Sequence, residues 1–264
     1  MMRIELDITK TVQQNAERYF ESSKKAKRKA HGAREAVERM STEGVRERDT
    51  PTPRAHQAAK RWFMEYRWHV TETGVLCVGG RSAETNERLV KKYTNKNDRI
   101  FHTDVQGSPF YIARTRGKEL SNEERQGIVN ACASFSRAWK YGLTTVEVFE
   151  VGPEQVSKRA RAGEYISTGS FMVYGERTYH NGALELFATL VSIDDDSRIM
   201  VSGERLEESF ARIIPGRISP SQAARELAQR TGVAISEIER ALPPGPVQVD
   251  VLNEPKTRVI GRVE

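Results

Sequence analysis

Residues 75–93 read VLCVGGRSAETNERLVKKY. The apolar run Val75-Leu76-Cys77-Val78 has the length and composition of a buried strand and halts at Gly79-Gly80. Arg81 and Ser82 then lead into a polar, unbroken helical pattern that ends in Lys91-Lys92-Tyr93. A strand that turns on glycines into a helix leaves the first helical N–H groups free and aligned with the positive end of the dipole. The glycines permit φ > 0 and close approach of a ligand to the backbone. With Arg81 at the mouth and lysines at the far end, this unit has the chemistry to hold a phosphate. The competing reading is a turn that serves packing alone.

Composition narrows the partner. The chain has 264 residues, 38% hydrophobic and 30% charged, with 42 Lys+Arg against 36 Asp+Glu and a formal charge of +6. Its isoelectric point near 9.3 and mean hydropathy of −0.62 favour a polyanionic partner on a globular, polar protein. No apolar run approaches the roughly 20 residues of a membrane span, and MMRIELDITK lacks the apolar centre of a signal peptide. Cys77 and Cys132 lie far apart in apolar patterns, without CxxC spacing, and are expected as buried free thiols of a cytoplasmic protein. The histidines (His31, His56, His69, His102, His180) show no metal-ligand spacing, so neither a metal nor a cofactor is expected.

The first 66 residues differ from the rest. Val12, Ala16, Tyr19, Ser23, Ala26, Ala30, Ala33, Val37 and Met40 alternate spacings of four and three, a heptad seam rich in alanine. After the breaker-rich GVRERDTPTP, Ala55, Ala59, Trp62 and Tyr66 resume that spacing, which predicts an antiparallel helical hairpin turning near Thr50–Pro53. Lys24, Lys25, Lys27, Arg28 and Lys29 form a basic block on its first arm. Such a block is either a solvated face or a contact for RNA phosphates.

From Arg67 onward the pattern turns to strands. RWHVT, VLCVG, Arg99–Thr103, Phe110–Arg114 and Thr144–Val151 are predicted strands, and Ser121 with Glu124 is a capping box opening a helix through Ala131, Phe135 and Trp139. Leu184–Ile193 and Ile199–Ser202 are read as a final strand pair turning on Asp194-Asp195-Asp196. Two short helices follow: Ser219-Pro220 with Gln222 opens the first and Gly232 ends it, while Ser236 with Glu239 opens the second. Interspersed elements without a regular βαβ repeat predict an α+β fold, a mixed or antiparallel sheet with flanking helices behind an N-terminal helical hairpin. The expected divisions are 1–66, a helical hairpin or coiled coil; 67–182, the core; and 183–264, a C-terminal strand pair and short-helix extension.

Several separated segments together carry a resemblance. Trp62-Phe63 followed by RW, VGGR…NE..VKKY, His102-x-Asp104-x-x-Gly107, Gln155-Val156-Ser157-Lys158 and GEYISTGSF stand in an order and spacing that resembles the RNA-binding domain (NFACT-R) of the NFACT family, the NEMF and RqcH-type proteins of ribosome-associated quality control. The resemblance covers roughly residues 60–180. More loosely, DITKTVQQNAERYFESSKKAKRK looks like the start of the family's coiled coil, and ISEIERALPPG like the C-terminus of archaeal-type members. It implies a role on large ribosomal subunits stalled with peptidyl-tRNA, tRNA and rRNA as partners, and a core domain without an established active site. The family's NFACT-N and helix-hairpin-helix regions have no counterpart in the matching segments. The expectation is therefore a stand-alone relative, half of a split protein or a fragment, with a separate NFACT-N protein as a possible partner.

Arg81, Asn86, Lys91 and Lys92 match the first motif and fit the phosphate-holding geometry. His102 and Asp104 lie two apart at a strand end and can share a face; they suit acid–base chemistry, stacking on a nucleotide, or closure of the turn to Gly107. Gln155, Ser157, Lys158, Arg159 and Arg161 alternate donors and cations, which suits sugar–phosphate contacts. Thr168, Gly169 and Ser170 offer hydroxyls and bare backbone for an anion, or alternatively a bulge at a sheet edge. The expected function is a non-catalytic tRNA- and rRNA-binding component of ribosome rescue. Two readings from other classes compete with it: an RNA-modifying enzyme using His102, Asp104 and Glu164, and a protein-interaction module docking through the alanine-rich hairpin.

Overall fold

The computed structural model describes residues 61–105, 107–158 and 169–261, together with scattered positions between 7 and 30. Residues 57–264 form one compact unit and residues 1–56 a separate one. In the latter, positions 12, 15, 19, 20, 22–24, 26, 27, 29 and 30 are helical, and Lys24, Lys27 and Lys29 are exposed. Lys25, Arg28, the hairpin turn near Thr50–Pro53 and the seam positions Ala55 and Ala59 lie outside the described residues.

The main unit is built on a six-stranded sheet whose neighbours are all antiparallel, in the order β1 (Arg67–Val70), β2 (Leu76–Gly79), β4 (Tyr111–Ala113), β3 (Arg99–His102), β5 (Thr145–Val151) and β8 (Thr178–Ala183). Both faces of this sheet are buried, which explains why β2 is apolar throughout rather than alternating. Leu76 and Val78 join Ile100, Ile112 and Phe149 in a core that Leu89 of helix α1 (Ala83–Tyr93) and Phe63 cover. Cys77, on the opposite face, joins Phe101, Tyr111 and Val148 under helix α2 (Asn122–Ser134). The Cys77 and Cys132 thiols are both buried there and unpaired, and burial pushes both up.

Helix α2 opens with the expected Ser121–Glu124 capping box. A Cβ on its Gly127 would fall 2.5 Å from Glu204 Cβ, and one on Gly203 would fall 2.2 Å from the Gly127 carbonyl oxygen. That approach ties the helix to a second sheet, β10 (Asp196–Ser202), β9 (Leu186–Ile193), β11 (Ser209–Ile218) and β12 (Val247–Val251), with β13 (Thr257–Val259) parallel to β9. One continuous apolar core runs from the first sheet through α2 to the second sheet and to helices α3 (Pro220–Thr231) and α4 (Ile235–Ala241). A two-stranded ribbon, β6 (Val156–Ser157) with β7 (Met172–Val173), stands apart from both sheets.

The α+β class with antiparallel sheets is as expected. Two local details are corrected, and the turn at Asp194-Asp195 lies where expected. Leu184–Ser202 is not the final strand pair, because β11, β12 and β13 follow. Pro215 and Gly216 in SFARIIPGRI argue against a strand, and β11 accommodates them through a register shift between Pro215 and Ile218. The turn before β10 works through positive φ at Asp194 and Asp195, a hairpin conformation that aspartate tolerates. Finally, α4 begins at Ile235 after Ala234, with no side-chain cap, so Ser236 lies within the helix rather than capping it.

Candidate nucleic-acid interface

The β2–α1 turn keeps its expected helix start and changes its reason for glycine. Ser82 is the N-cap, its hydroxyl accepting from Thr85 N while Thr85 Oγ1 accepts from Ser82 N at 2.7 Å. Neither Gly79 nor Gly80 has positive φ. A Cβ on Gly79 would instead overlap the Tyr111 ring, and one on Gly80 would overlap the Asn86 amide. The close approach that the turn permits is thus by the protein's own side chains. Asn86 is buried: its Nδ2 donates to Ser108 O at 3.3 Å and its Oδ1 accepts from Phe110 N at 3.1 Å. It ties α1 to the segment entering β4.

Above Asn86, residues distant in sequence converge on Glu87. Lys91 Nζ lies 2.6 Å from Glu87 Oε1, Lys158 Nζ lies 3.0 Å from Oε2, and Gly169 N donates to Oε2 at 3.0 Å. The Lys91 hydrogen bond, then the Gly169 N–H and Lys158, hold the Glu87 carboxyl down at about 2, so it is ionised at any physiological pH. Gly169 has φ +80 and sits 2.5 Å, measured from an ideal Cβ, from Ala83 Cα. Only glycine suits both the backbone conformation and the contact. The 169–170 strand entry therefore rests directly on the first turn of α1. Beside it, Phe171 packs edge-on against Phe110 with centroids 5.1 Å apart, and Lys158 Nζ lies 5.0 Å from the Phe171 ring.

His102 joins this face from beneath. Its ring stacks on Phe110 at 4.1 Å, and its Nδ1–H donates to Pro109 O at 2.8 Å. Burial lowers its pKa, so the imidazole is neutral near pH 7. Asp104 points elsewhere and is exposed, 3.6 Å from Arg177 Nη1; among the described residues no hydrogen bond joins His102 to Asp104. Gln155 spends its whole amide on the ribbon, accepting from Gly152 N at 2.8 Å and donating to Tyr174 O at 3.0 Å and Glu176 O at 2.6 Å. Ser157 lies in β6 opposite Met172. Ser170 is exposed beside Gly169. Lys92 is exposed with its Nζ 5.3 Å from the Tyr93 ring. Arg81 leaves this face altogether, its guanidinium bonded to Arg240 O and Tyr66 O. Arg159, Arg161, Thr168 and Glu164 lie outside the described residues.

The structure thus brings together Asn86, Lys91, His102, Lys158 and the 169–170 backbone, and separates Arg81, Lys92 and Gln155 from them. The organising residue, Glu87, was missed in the sequence. Its signal was the Glu87–Lys91 spacing of four on a helix. A second polar group was also missed: Glu150, nine-tenths buried, is approached by Arg125 at 3.0 Å, His180 at 3.2 Å and Arg99 at 3.6 Å. These partners come from β3, α2 and β8, and no sequence spacing links them. Among the described residues no cluster of three or more His, Cys, Asp or Glu could hold a metal ion, and no helix is long and apolar enough to cross a membrane.

A face of lysines steadied by one carboxylate, beside small residues and exposed backbone, is the kind of surface that meets a sugar–phosphate chain. The comparisons define the class. Residues 63–175 match the NFACT protein RNA binding domain, a stretch that holds every element of this face. The chain belongs to the NFACT family through this domain. It is 36% identical over 198 residues to the archaeal Rqc2 homolog aRqcH of Methanocaldococcus jannaschii, covering 72% of this chain and 29% of that protein. It is 26% identical over 201 residues to the human ribosome quality control complex subunit NEMF, covering 72% of this chain and 19% of NEMF. The chain therefore spans less than a third of the length of these relatives. Among solved structures, it is similar to the C-terminal part of the fibronectin/fibrinogen-binding protein of Streptococcus suis, at 16% identity and a TM-score of 0.39, over 66% of this chain and 76% of that one.

Proposed function

We propose that this protein is a non-catalytic RNA-binding component of ribosome-associated quality control, gripping tRNA or rRNA of the large subunit through sugar–phosphate contacts. The observation that carries the reading is the convergence of Lys91 and Lys158, 67 positions apart in the chain, on Glu87 beside the Gly169 backbone. Two ammonium groups held by one carboxylate keep a net positive charge and a fixed spacing. A phosphodiester can take over either of them without leaving a charge buried, because both lysines are partly exposed. The name of the human relative, a ribosome quality control complex subunit, supports the cellular setting. Lys24, Lys25, Lys27, Arg28 and Lys29 would add a second set of phosphate contacts from the amino-terminal unit, and Arg159, Arg161 and Thr168 would extend the first.

The test is cosedimentation of the full chain with large subunits, and gel-shift titration with tRNA, at low and at physiological salt. Charge reversal of Lys91 and Lys158 together should weaken binding uniformly across RNA sequences and flatten its salt dependence. Failure to associate with tRNA or with subunits at any ionic strength refutes the proposal.

A further inference from the structure

Five arginines, Arg61, Arg67, Arg81, Arg198 and Arg240, line a cavity of about 450 Å³ bounded by Trp62, Trp68 and Phe135. That volume is in the range of small-ligand sites, about 300–1,000 Å³. Two of these arginines have acidic partners: Arg61 pairs with Asp194 at 2.6 Å, and Arg198 with Asp196 at 3.0 Å and Glu237 at 3.1 Å. The other three form no ion pair among the described residues. Glu65, also on the wall, is taken by Arg88 at 2.9 Å.

Two of the three unpaired guanidiniums, those of Arg67 and Arg81, are held in place by neutral groups. Arg67, at the start of β1, lies 4.1 Å over the Phe135 ring and donates from Nη1 to Leu242 O at 3.2 Å. Arg81 donates from Nη1 to Arg240 O at 2.6 Å and from Nη2 to Tyr66 O at 3.0 Å. Its Nε is buried and has no acceptor, and so is the Nε of Arg198. Capping the last carbonyls of α4 accounts for two of these N–H groups and the Tyr66 carbonyl for a third, but none of them neutralises a charge. Burial, and then the neighbouring guanidinium, pull Arg67 down to about 9 and Arg81 to about 10. Both remain charged at pH 7 and repel one another. Concentrating unpaired like charges around a cavity is costly unless something anionic enters it.

We propose that this cavity is a binding site for a phosphate monoester, with Arg67, Arg81 and Arg240 as its ligands. Guanidinium forks match tetrahedral phosphoryl oxygens two at a time, and three such oxygens can serve three arginines at once, which a planar carboxylate cannot do. The aromatic walls and the volume leave room for the group that carries the phosphate. The monoester has two sources, a free nucleotide or the phosphorylated end of an RNA. This site is separate from the Glu87 face and does not depend on the RNA-binding reading.

Calorimetry and thermal shift of the full chain with adenosine 5′-monophosphate, at ionic strength held constant with potassium chloride, test the assignment. Saturable binding and a rising Tm are expected, following ligand linkage. Arg81→Met should weaken the monoester by about ten- to a hundredfold, the loss of one charge-assisted contact. Because Arg81→Met also frees two carbonyls and could unfold the chain, Ser236→Glu is the second variant. Ser236 is exposed on the cavity wall, and a carboxylate there should abolish monoester binding while leaving the ligand-free Tm equal or higher. A 5′-phosphorylated oligonucleotide binding more tightly than its 5′-hydroxyl counterpart identifies the RNA end as the source; equal binding of the two, with the free nucleotide still bound, identifies the nucleotide. No stabilisation by millimolar monoester beyond that of chloride, or undiminished binding by folded Ser236→Glu, overturns the proposal.

Discussion

Gly80→Ala should be among the most damaging small substitutions in this chain, and a thermodynamic cycle with Asn86 tests the reason. A methyl group on Gly80 falls on the Asn86 Oδ1 and within 3.0 Å of the Asn86 Cα. The amide must move, and in moving it releases the Phe110 N–H and the Ser108 carbonyl, both of which it holds out of water. Overpacking costs about 1–3 kcal/mol, and each orphaned buried group about 1–3 kcal/mol. The single substitution should therefore lose about 3–9 kcal/mol in urea unfolding followed by circular dichroism. Asn86→Ala alone loses the hydrogen bonds without adding a clash, about 2–6 kcal/mol. In that background the new methyl meets empty space where the amide stood, so Gly80→Ala should cost no more than about 1 kcal/mol further. The coupling between the two sites is then at least about 2 kcal/mol, well outside the additivity of independent positions. Additive losses, or a Gly80→Ala chain as stable as the parent, would show that the glycine serves something other than the approach of Asn86.

Three further outcomes follow from named contacts. Glu87→Gln removes the carboxylate that Lys91 and Lys158 share, so RNA affinity at low salt should rise and the salt slope should steepen by about 0.7 to 1.4, one or two additional phosphates on a single strand; a weaker, flatter titration would mean that Glu87 serves mainly to position the lysines. His102→Ala should lower stability by about 1–3 kcal/mol through the lost Phe110 stack and leave the nucleoside profile of bound RNA unchanged, whereas a chemical change in RNA that disappears with His102 would establish catalysis. Burial, reinforced by Glu124 and Glu72, raises Glu204 to about 7 from its ordinary 4.5. The folded state thus holds a proton between those values that the unfolded chain has released. Its stabilising contribution is complete below about pH 4.5 and is lost as pH climbs through 7. Glu204→Gln should gain about 1–3 kcal/mol over the parent at pH 8 and nothing at pH 4; parallel stability profiles of the two proteins across that range would refute the shift.

What the sequence discloses here is whatever depends on neighbours within one turn or one strand. The Ser121–Glu124 box and the apolar run of β2 are local, and both appear as expected. The β11 strand was hidden because Pro215 and Gly216 are tolerated only through a register shift against β12, a partner more than 30 residues away. The site divides in the same manner. Lys91 was legible as a cation at the end of a helix, but its function depends on Lys158 and Gly169, which the fold returns to Glu87 from beyond β5. Arg81 shows the limit most clearly. In sequence it stands at the mouth of a glycine turn, where a phosphate ligand belongs. In the fold its side chain crosses to the last turn of α4, 159 residues later, and joins Arg67 at a different cavity. The turn that looked like one phosphate grip thus supplies two surfaces: α1 presents Lys91 to the Glu87 face, and Arg81 serves an arginine cluster whose charge the described residues leave unbalanced. Double charge reversal at Lys91 and Lys158 should therefore leave monoester binding intact while it weakens RNA, and Ser236→Glu should do the reverse if the monoester is a free nucleotide. Loss of both activities in either protein, with its fold preserved, would show that the two surfaces are one site.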